Sequence, residues 1–392
     1  MPSPPNIGIG GSMRGRLVDL LVVLILVVLT SAVAGVSQDT AGKGPAAQPS
    51  SSGGDDLARV DEKLDAMYND ADAMGDPSGA RVRRTLNECL ELLARKEAAV
   101  SGADRAPIVR ARIRVLMGIL GNRLLTDDAL VARLRSEYLD YALLVPESDD
   151  LGDLMDSVRQ VICVQGTTEK AIAFLREEGK LRKGILLEYA KYWESDCLVR
   201  RLGRSGEAEK TLADLDRSGK SPVVTKKARE LLGELRECSV GRGFPDFALT
   251  DLQGRATTTS SWRGVETLVI AEAPECGGCA GVPSDLERVR SRVPGDRLRI
   301  VLLVVGPDRE ALTRSLKAVD LEARGFVVVP VVQDFEHPTT EEATDVCVRR
   351  LYIRRFPTAW LIGRDGRIVE TTLERGGYKP FIAAVEDRFR MK

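Results

Sequence analysis

Two short stretches decide the fold of this chain: Cys276-Gly277-Gly278-Cys279, and Phe356-Pro357-Thr358 about 80 residues later. The first is a pair of cysteines separated by two residues. It follows an apolar run over residues 267–271, which has the length of a strand, and it precedes a stretch with the apolar spacing of a helix. A dithiol at such a strand-to-helix junction is typical of sites that exchange thiols and disulfides.

The residues around these stretches alternate between strand and helix patterns. A near-continuous apolar run over residues 298–305 predicts a strand that is covered on both faces. Pro330 lies inside another apolar run and predicts an edge strand or a bulge, because proline cannot donate a hydrogen bond to the sheet. The other predicted elements are a strand and turn over 244–254, a strand over 326–332, helices over 310–319, 340–352 and 379–390, and a hairpin over 359–372. This alternation predicts an α/β sandwich over residues 241–392.

The C-terminal part resembles the TlpA/ResA-like branch of the thioredoxin superfamily over about 150 residues. The residues that carry the resemblance are Pro245-Asp246-Phe247, Trp262-Arg263-Gly264, Cys276-Gly277-Gly278-Cys279 and Tyr352-Ile353-Arg354-Arg355-Phe356-Pro357-Thr358. The resemblance implies a thiol–disulfide oxidoreductase in which Cys276 attacks a client disulfide and Cys279 resolves the mixed disulfide. It also implies that Pro357 is cis and packs near the dithiol, and that the backbone of Phe356 pairs with an extended substrate. No cofactor and no metal is expected.

The family places the first cysteine at the N-terminus of a helix, which favours its thiolate. The flanking residues of this chain act in the opposite direction. Glu272 and Glu275 stand where the family usually has aromatic residues, and a carboxylate disfavours a nearby thiolate. A less stabilised thiolate corresponds to a more reducing couple, so we expect a reductase, or a slow and specific partner of one client, rather than a strong oxidant. Ile270 stands where thioredoxin has a buried acid, which leaves Glu272 as the candidate proton acceptor.

Three other roles are open for the dithiol. A structural disulfide would make the thioredoxin fold a redox-inactive scaffold beside a helical partner-binding domain. Structural zinc needs four ligands, whereas the chain has no second Cys-x-x-Cys and a single histidine, His337. A peroxidase of the peroxiredoxin type would carry Thr or Ser three residues before the first cysteine, where this chain has Ala273.

The other cysteines allow further cross-links. Cys347 is expected to be a small buried core residue, with a third redox thiol as the alternative. Four more cysteines in the helical half could form two disulfides in an oxidising compartment, which allows three connectivities. They are Cys89, Cys163, Cys197 and Cys238. Because the chain has 7 cysteines, at least one should be free or should pair with another molecule, and Cys347 is the expected one.

The N-terminus carries an export pattern. Basic residues precede an unbroken apolar run over residues 20–29, and Ala32-Val33-Ala34 follows as a cleavage pattern. Residues 1–36 are therefore predicted to be a signal peptide, with an uncleaved membrane anchor as the alternative. Residues 37–55 are rich in Ser, Gly, Pro and Ala and are predicted to be a flexible linker. Whether residues 1–36 are cleaved or kept as an anchor, the folded part is expected outside the cytoplasm, in the periplasm or anchored to the membrane.

Residues 56–238 have apolar side chains at helical spacing and predict an all-helical domain. Thr126 and Thr167 mark two helix starts, because a threonine hydroxyl can cap free backbone N–H groups. Residues 204–236 resemble a degenerate tetratricopeptide-like hairpin. An irregular helical domain and a short solenoid therefore stand as alternatives, and a solenoid would offer a concave surface to a protein partner.

The composition limits the choice of partners. The formal net charge is -1, and no basic excess indicates nucleic acid. Together the patterns predict a helical domain followed by a thioredoxin-like α/β sandwich, acting as an exported thiol–disulfide oxidoreductase. The expected partners are a protein with a disulfide, a separate thiol electron donor and a protein bound by the helical domain.

Overall fold

The computed structural model describes residues 55–70, 79–121, 124–146, 148, 150–274, 276–319, 321, 325–333 and 346–390. The predicted signal peptide, nearly all of the predicted linker, Glu275 and His337 lie outside these residues. Within them, no helix is both long enough and apolar enough to cross a membrane. The described residues form two compact units, residues 55–236 with 372–377 and residues 237–371 with 378–390.

All of the regular secondary structure that is described in the first unit is helical. Its helices are α1 (Asp55–Asn69), α2 (Ala80–Glu97), α3 (Ala106–Gly121), α4 (Asp128–Leu144), α5 (Leu151–Gln165), α6 (Thr168–Leu181), α7 (Gly184–Leu202), α8 (Ser205–Ser218) and α9 (Pro222–Glu237), with a helical turn at Thr372–Arg375. From α1 to α8 each helix contacts the next, and α5 also contacts both α3 and α7. Alternate helices therefore stack on one another, as they do in helical repeats, which favours the solenoid alternative.

Capping side chains set two of the helix boundaries. The carboxylate of Asp127 accepts hydrogen bonds from the first free N–H groups of α4 at 2.9 and 3.3 Å. The hydroxyl of Thr167 accepts one from the N–H of Lys170 at 3.2 Å, at the start of α6. The predicted cap at Thr167 is confirmed. At α4 the cap is Asp127 and not the Thr126 hydroxyl, because Asp127 occupies the position from which a side chain reaches these N–H groups.

Residues 372–377 belong to the helical unit although they lie far along the chain. Leu373 is 4% exposed and packs in the helical core. A Cβ added to Gly203, whose φ is +66°, would lie 2.2 Å from the carbonyl oxygen of Glu374, and one added to Gly376 would lie 2.6 Å from the carbonyl oxygen of Arg201. Only glycine fits such close backbone approaches.

The second unit is built on a five-stranded sheet. Its elements are β1 (Ala248–Thr250), β2 (Ala256–Thr258), β3 (Glu266–Glu272), α10 (Val282–Arg292), β4 (Leu298–Gly306), α11 (Arg309–Val319), β5 (Val327–Val332), α12 (Val346–Arg350), β6 (Thr358–Ile362), β7 (Ile368–Thr371) and α13 (Tyr378–Arg390). The strand order is β5-β4-β3-β6-β7, in which β3, β4 and β5 are parallel and β6 and β7 are antiparallel to their neighbours. Strands β1 and β2 form a separate hairpin.

The sheet is covered on both faces because the side chains of each strand alternate in direction. Leu268 and Ile270 of β3 lie in a core formed with α10, α11 and α13. Val269 and Ala271 of the same strand lie in a second core, with α12 and the buried ring of Trp360. The two cores cover both faces of the sheet and form the predicted α/β sandwich, so the fold is a helical unit followed by a thioredoxin-like unit.

Two local predictions, at Pro330 and over residues 340–352, can be compared with the structure. Pro330 lies in β5, which is an edge strand, as predicted. Trp262 and Trp360 are buried core residues at 5% and 1% exposure. The predicted helix over 340–352 ends earlier, at Arg350, because Tyr352 has a φ of 52° and cannot continue a right-handed helix. Residues 340–345 lie outside the described part of the chain.

Candidate active site

The dithiol lies on a tight turn just beyond the end of β3. The N–H of Cys276 donates to the carbonyl oxygen of Ala273 at 3.1 Å, and the N–H of Cys279 donates to the carbonyl oxygen of Cys276 at 2.9 Å. Residues Gly277–Cys279 form a single 3₁₀ turn. This turn brings the two Cα atoms to 5.3 Å, and the two sulfurs are joined in a disulfide.

The two sulfurs differ in their access to solvent. Cys276 is half-buried, whereas Cys279 is 5% exposed and packs with Val282 and Leu286 of α10. Of the two cysteines, Cys276 is therefore the one that an external thiol or disulfide could reach. The turn therefore presents one accessible cysteine and one protected cysteine within the same disulfide-forming pair.

The dithiol precedes the helix rather than opening it. The resemblance implies that Cys276 lies at a helix N-terminus, but α10 begins at Val282. Glycine is a poor helix former, and three glycines at 277, 278 and 281 delay the start of the helix. Because the effect of a helix dipole falls off within its first turn, α10 stabilises a Cys276 thiolate less than an immediately adjacent helix would.

The loop before β6 lies against the dithiol turn. Residue Thr358 is the register partner of Ala271 near the end of β3, so the sheet brings this loop to the edge where the dithiol follows. The Phe356–Pro357 peptide is cis, as expected. A Cβ added to Gly278 would lie 3.7 Å from Cys276 Sγ and 3.9 Å from both the Phe356 carbonyl oxygen and Pro357 Cδ. Pro357 and Phe356 thus adjoin the dithiol.

Glu272 is the titratable group at the end of β3. Burial raises the pKa of its carboxyl to about 7. Burial, together with the nearby Asp285 and Glu272 carboxylates, also raises the pKa of Tyr378, so Glu272 lies close to this tyrosine. The Tyr378 hydroxyl is buried and has no hydrogen-bond partner among the described residues. Glu272 is therefore poised to gain or lose a proton near neutral pH, and it shares the sheet face of Leu268 and Ile270, whose core also includes Cys279.

A buried carboxylate lies beside the dithiol turn as well. Asp285 in the first turn of α10 is bound by Lys379 at 3.0 Å and by Arg288 at 2.8 Å. A Cβ on Gly281 would lie 3.3 Å from the Lys379 ammonium nitrogen, so this ion pair adjoins the end of the turn. Sequence reasoning missed Asp285 and Tyr378, because they come from different helices and follow no motif.

Cys89, Cys163 and Cys197 carry free thiols. The two disulfides that the four cysteines of the helical half could form are therefore absent among the described residues. Cys347 is 3% exposed and packs in the core beside Trp360, which agrees with the expected core role. The Sγ of Cys238 lies 3.9 Å from the carbonyl oxygen of Arg350, in the thioredoxin-like unit and not in the helical one.

Comparisons with known proteins found solved structures that match this chain in part. No protein-family model and no curated protein sequence matches the chain. The exposed lipoprotein thioredoxin of Streptococcus pneumoniae is 17% identical, over 38% of this chain and 100% of that chain, with a TM-score of 0.29. A thiol-disulfide oxidoreductase from Bacteroides fragilis is 18% identical, over 38% and 99% respectively, with a TM-score of 0.30. A thioredoxin-like protein from Bacteroides caccae is 12% identical, over 74% and 94%, with a TM-score of 0.38.

Proposed function

We propose that this protein is an exported thiol–disulfide oxidoreductase of the TlpA/ResA-like kind that reduces a disulfide in a client protein. The observation that carries the proposal is the Cys276–Cys279 disulfide on a turn against the cis Pro357 loop. One sulfur is accessible and the other is protected, which is the arrangement that a two-step exchange requires. The predicted signal sequence supports export.

The reaction would begin with both cysteines reduced. The Cys276 thiolate attacks one sulfur of the client disulfide, which forms a mixed disulfide and releases the first client sulfur as a thiolate. Cys279 then loses its proton and attacks Cys276 Sγ. This second step releases the other client sulfur and leaves the Cys276–Cys279 disulfide. A separate thiol donor must supply two electrons to restore the dithiol.

Glu272 is proposed as the proton acceptor for Cys279. Its pKa of about 7 lets it take a proton from a thiol and return it near neutral pH. Cys279 is buried, so a nearby group must accept its proton before its sulfur attacks Cys276 Sγ. If this role is correct, Glu272→Gln should slow the resolution of the mixed disulfide more than its formation.

The Phe356-Pro357 loop is proposed to hold the client. The carbonyl oxygen of Phe356 adjoins Gly278 in the dithiol turn, so a client strand bound there would present its disulfide to Cys276. Backbone hydrogen bonds of this kind read an extended conformation rather than a particular side chain. The helical unit, as a stack of helices, is proposed to bind a protein partner.

The first test is insulin-disulfide reduction by the full chain with dithiothreitol as the donor. We expect activity in wild type, loss of activity in Cys276→Ser, and a mixed disulfide with insulin that accumulates in Cys279→Ser. Cys347→Ser changes a buried thiol of the same unit and serves as the matched control. Separation of the Cys279→Ser product by non-reducing electrophoresis identifies the trapped species.

Two outcomes would replace the proposal. A wild-type chain that neither reduces insulin nor forms the trapped species, although its dithiol can be reduced, would identify a redox-inactive scaffold. Consumption of hydrogen peroxide without insulin reduction would identify a peroxidase. A redox titration adds an independent measurement, because a couple near or below roughly -250 mV is expected for a reductase.

A further inference from the structure

A second pair of thiols lies in the helical unit. Cys163, in the last turn of α5, and Cys197, in α7, hydrogen-bond to each other through their side chains. Cys197 is 0% exposed, whereas Cys163 is partly exposed. The pair thus combines an accessible thiol with a protected one, as the Cys276–Cys279 pair does.

A buried arginine adjoins this pair. Arg159 is 0% exposed, and its Nη1 donates a hydrogen bond to Cys197 Sγ at 3.5 Å. Its Nε donates to Asp156 Oδ1 at 2.8 Å, and its Nη1 lies 4.0 Å from Asp196 Oδ2. The guanidinium also lies over the ring of Trp193, 5.1 Å from its centroid. A buried cation held by several partners is expensive to maintain, and it favours a negative charge on an adjacent sulfur.

The charges around the pair act differently on its two members. The hydrogen bond from Cys197 and the charges of Arg159 and Arg201 lower the pKa of Cys163, and a hydrogen bond from Thr168 at the start of α6 adds to this. The same hydrogen bond with Cys163 and the burial of Cys197 raise the pKa of Cys197. These shifts favour the thiolate on Cys163, the partly exposed member of the pair.

The acidic groups near the pair are Asp156 and Asp196. Asp196 is shared with a second buried arginine, Arg200, which it contacts at 3.1 Å, and it contributes to the raised pKa of Cys197. Because both carboxylates are occupied by arginines, their repulsion of a thiolate on Cys163 is offset. Arg159 and Arg201 are further charged groups that face the two sulfurs from α5 and α7.

We propose that Cys163 and Cys197 form a second redox-active dithiol, which closes reversibly to a disulfide by exchange with an accessible disulfide of another thiol compound. This inference does not depend on the reaction proposed for the Cys276–Cys279 pair. It assigns a redox role to the helical unit, beyond the binding of a partner.

The exchange takes place in two steps. The Cys163 thiolate attacks the incoming disulfide, forms a mixed disulfide and releases one thiolate, which takes a proton from solvent. Cys197 then attacks Cys163 Sγ, and its proton passes to the second departing sulfur. The protein dithiol loses two electrons, the incoming disulfide gains them as two thiols, and a Cys163–Cys197 disulfide is formed.

Cys89 provides an internal control. It is 0% exposed, and burial raises the pKa of its thiol. It should therefore not react with a disulfide while the protein is folded.

The experiment uses the full chain with Cys276→Ser and Cys279→Ser, so that only the second pair can respond. The reduced protein is equilibrated in buffers with different ratios of glutathione to glutathione disulfide, and exchange is stopped with acid. The chain is then unfolded, its remaining thiols are alkylated, and the products are mapped by mass spectrometry. We expect a peptide linking Cys163 to Cys197 to form reversibly with a single midpoint. Cys89 should stay fully alkylated across the series.

The order of attack gives a second readout. In the same background, Cys197→Ser should accumulate a glutathione adduct on Cys163, whereas Cys163→Ser should leave Cys197 unmodified. If Cys197→Ser or Cys163→Ser impairs folding, the midpoint of the chain that carries only Cys276→Ser and Cys279→Ser still tests the pair. The proposal is overturned if both thiols stay alkylated in the most oxidising buffer, or if they link only after the chain is unfolded. Equal adduct formation on the two single variants would contradict the assigned roles.

Discussion

Glu272→Gln should make the thioredoxin-like unit more stable at alkaline pH and leave it unchanged at acid pH. In the folded chain the pKa of Glu272 is raised by burial from its ordinary value of 4.5 to about 7. Between these two values the folded state binds more protons than the unfolded state, so the glutamate's contribution to stability falls as the pH rises. At 1.36 kcal/mol per pKa unit the loss amounts to about 3 kcal/mol above pH 7. Glutamine carries no charge and avoids this loss.

The assay is urea denaturation of the oxidised full chain at pH 4 and pH 8. A Trp193→Phe background confines the fluorescence signal to Trp262 and Trp360, which both lie in the thioredoxin-like unit. Glu310→Gln is the matched control, because its side chain is 88% exposed. A stability difference between Gln and Glu at position 272 that is the same at both pH values would refute the reasoning. So would a variant that is less stable at pH 8.

Three further substitutions test the packing of the two units. Gly203→Ala should destabilise the helical unit by more than about 1 kcal/mol, because φ is +66° and the Cβ would clash with the Glu374 carbonyl oxygen. Urea denaturation followed by circular dichroism would measure this loss. Glu234→Gln should lower the free energy of unfolding by about 3 kcal/mol, because Glu234 binds Arg200 at 2.5 Å and its loss leaves that arginine partly unpaired in the interior. Thermal denaturation would measure the loss. Trp360→Ala should cost about 3–5 kcal/mol by opening a cavity in the core of the thioredoxin-like unit, which fluorescence-detected denaturation would measure.

Exposed positions supply the controls for these substitutions. Gly206→Ala, at an open position of α8, should not lower stability. Glu207→Gln removes an exposed ion pair with Arg204 and should change the free energy of unfolding by less than about 1 kcal/mol. If either control destabilised the helical unit as much as its buried counterpart, close backbone approach and buried charge pairing would not explain the losses.

Much of the thioredoxin-like unit could be predicted from its sequence because its signals are local. The apolar run over residues 298–305 became the doubly covered strand β4, and Pro330 correctly indicated an edge strand. The adjacency of the dithiol turn and Pro357 is non-local in sequence, and it came from the resemblance to a known fold rather than from spacing. The functional roles of these residues are still proposals.

Other features depend on tertiary contacts that no local pattern encodes. The start of α10 at Val282 reflects several glycines acting together against a helix-forming stretch. The charge environment of Cys163 depends on Arg159 and Arg201 of two different helices. Tyr378 and Asp285 meet only when α10 and α13 pack on the same sheet face.

The discontinuity of the helical unit has a consequence for its biosynthesis. Ribosomes deliver the chain from its N-terminus, and domains generally begin to fold in that order. Leu373, however, is a buried member of the helical core, and it is translated only after strands β1 to β7 of the other unit. During translation the nascent helical unit therefore lacks part of its interior until the last strand of the other unit, β7, has been made. A nascent chain that stalls before residue 372 would expose this unfilled site to chaperones and proteases.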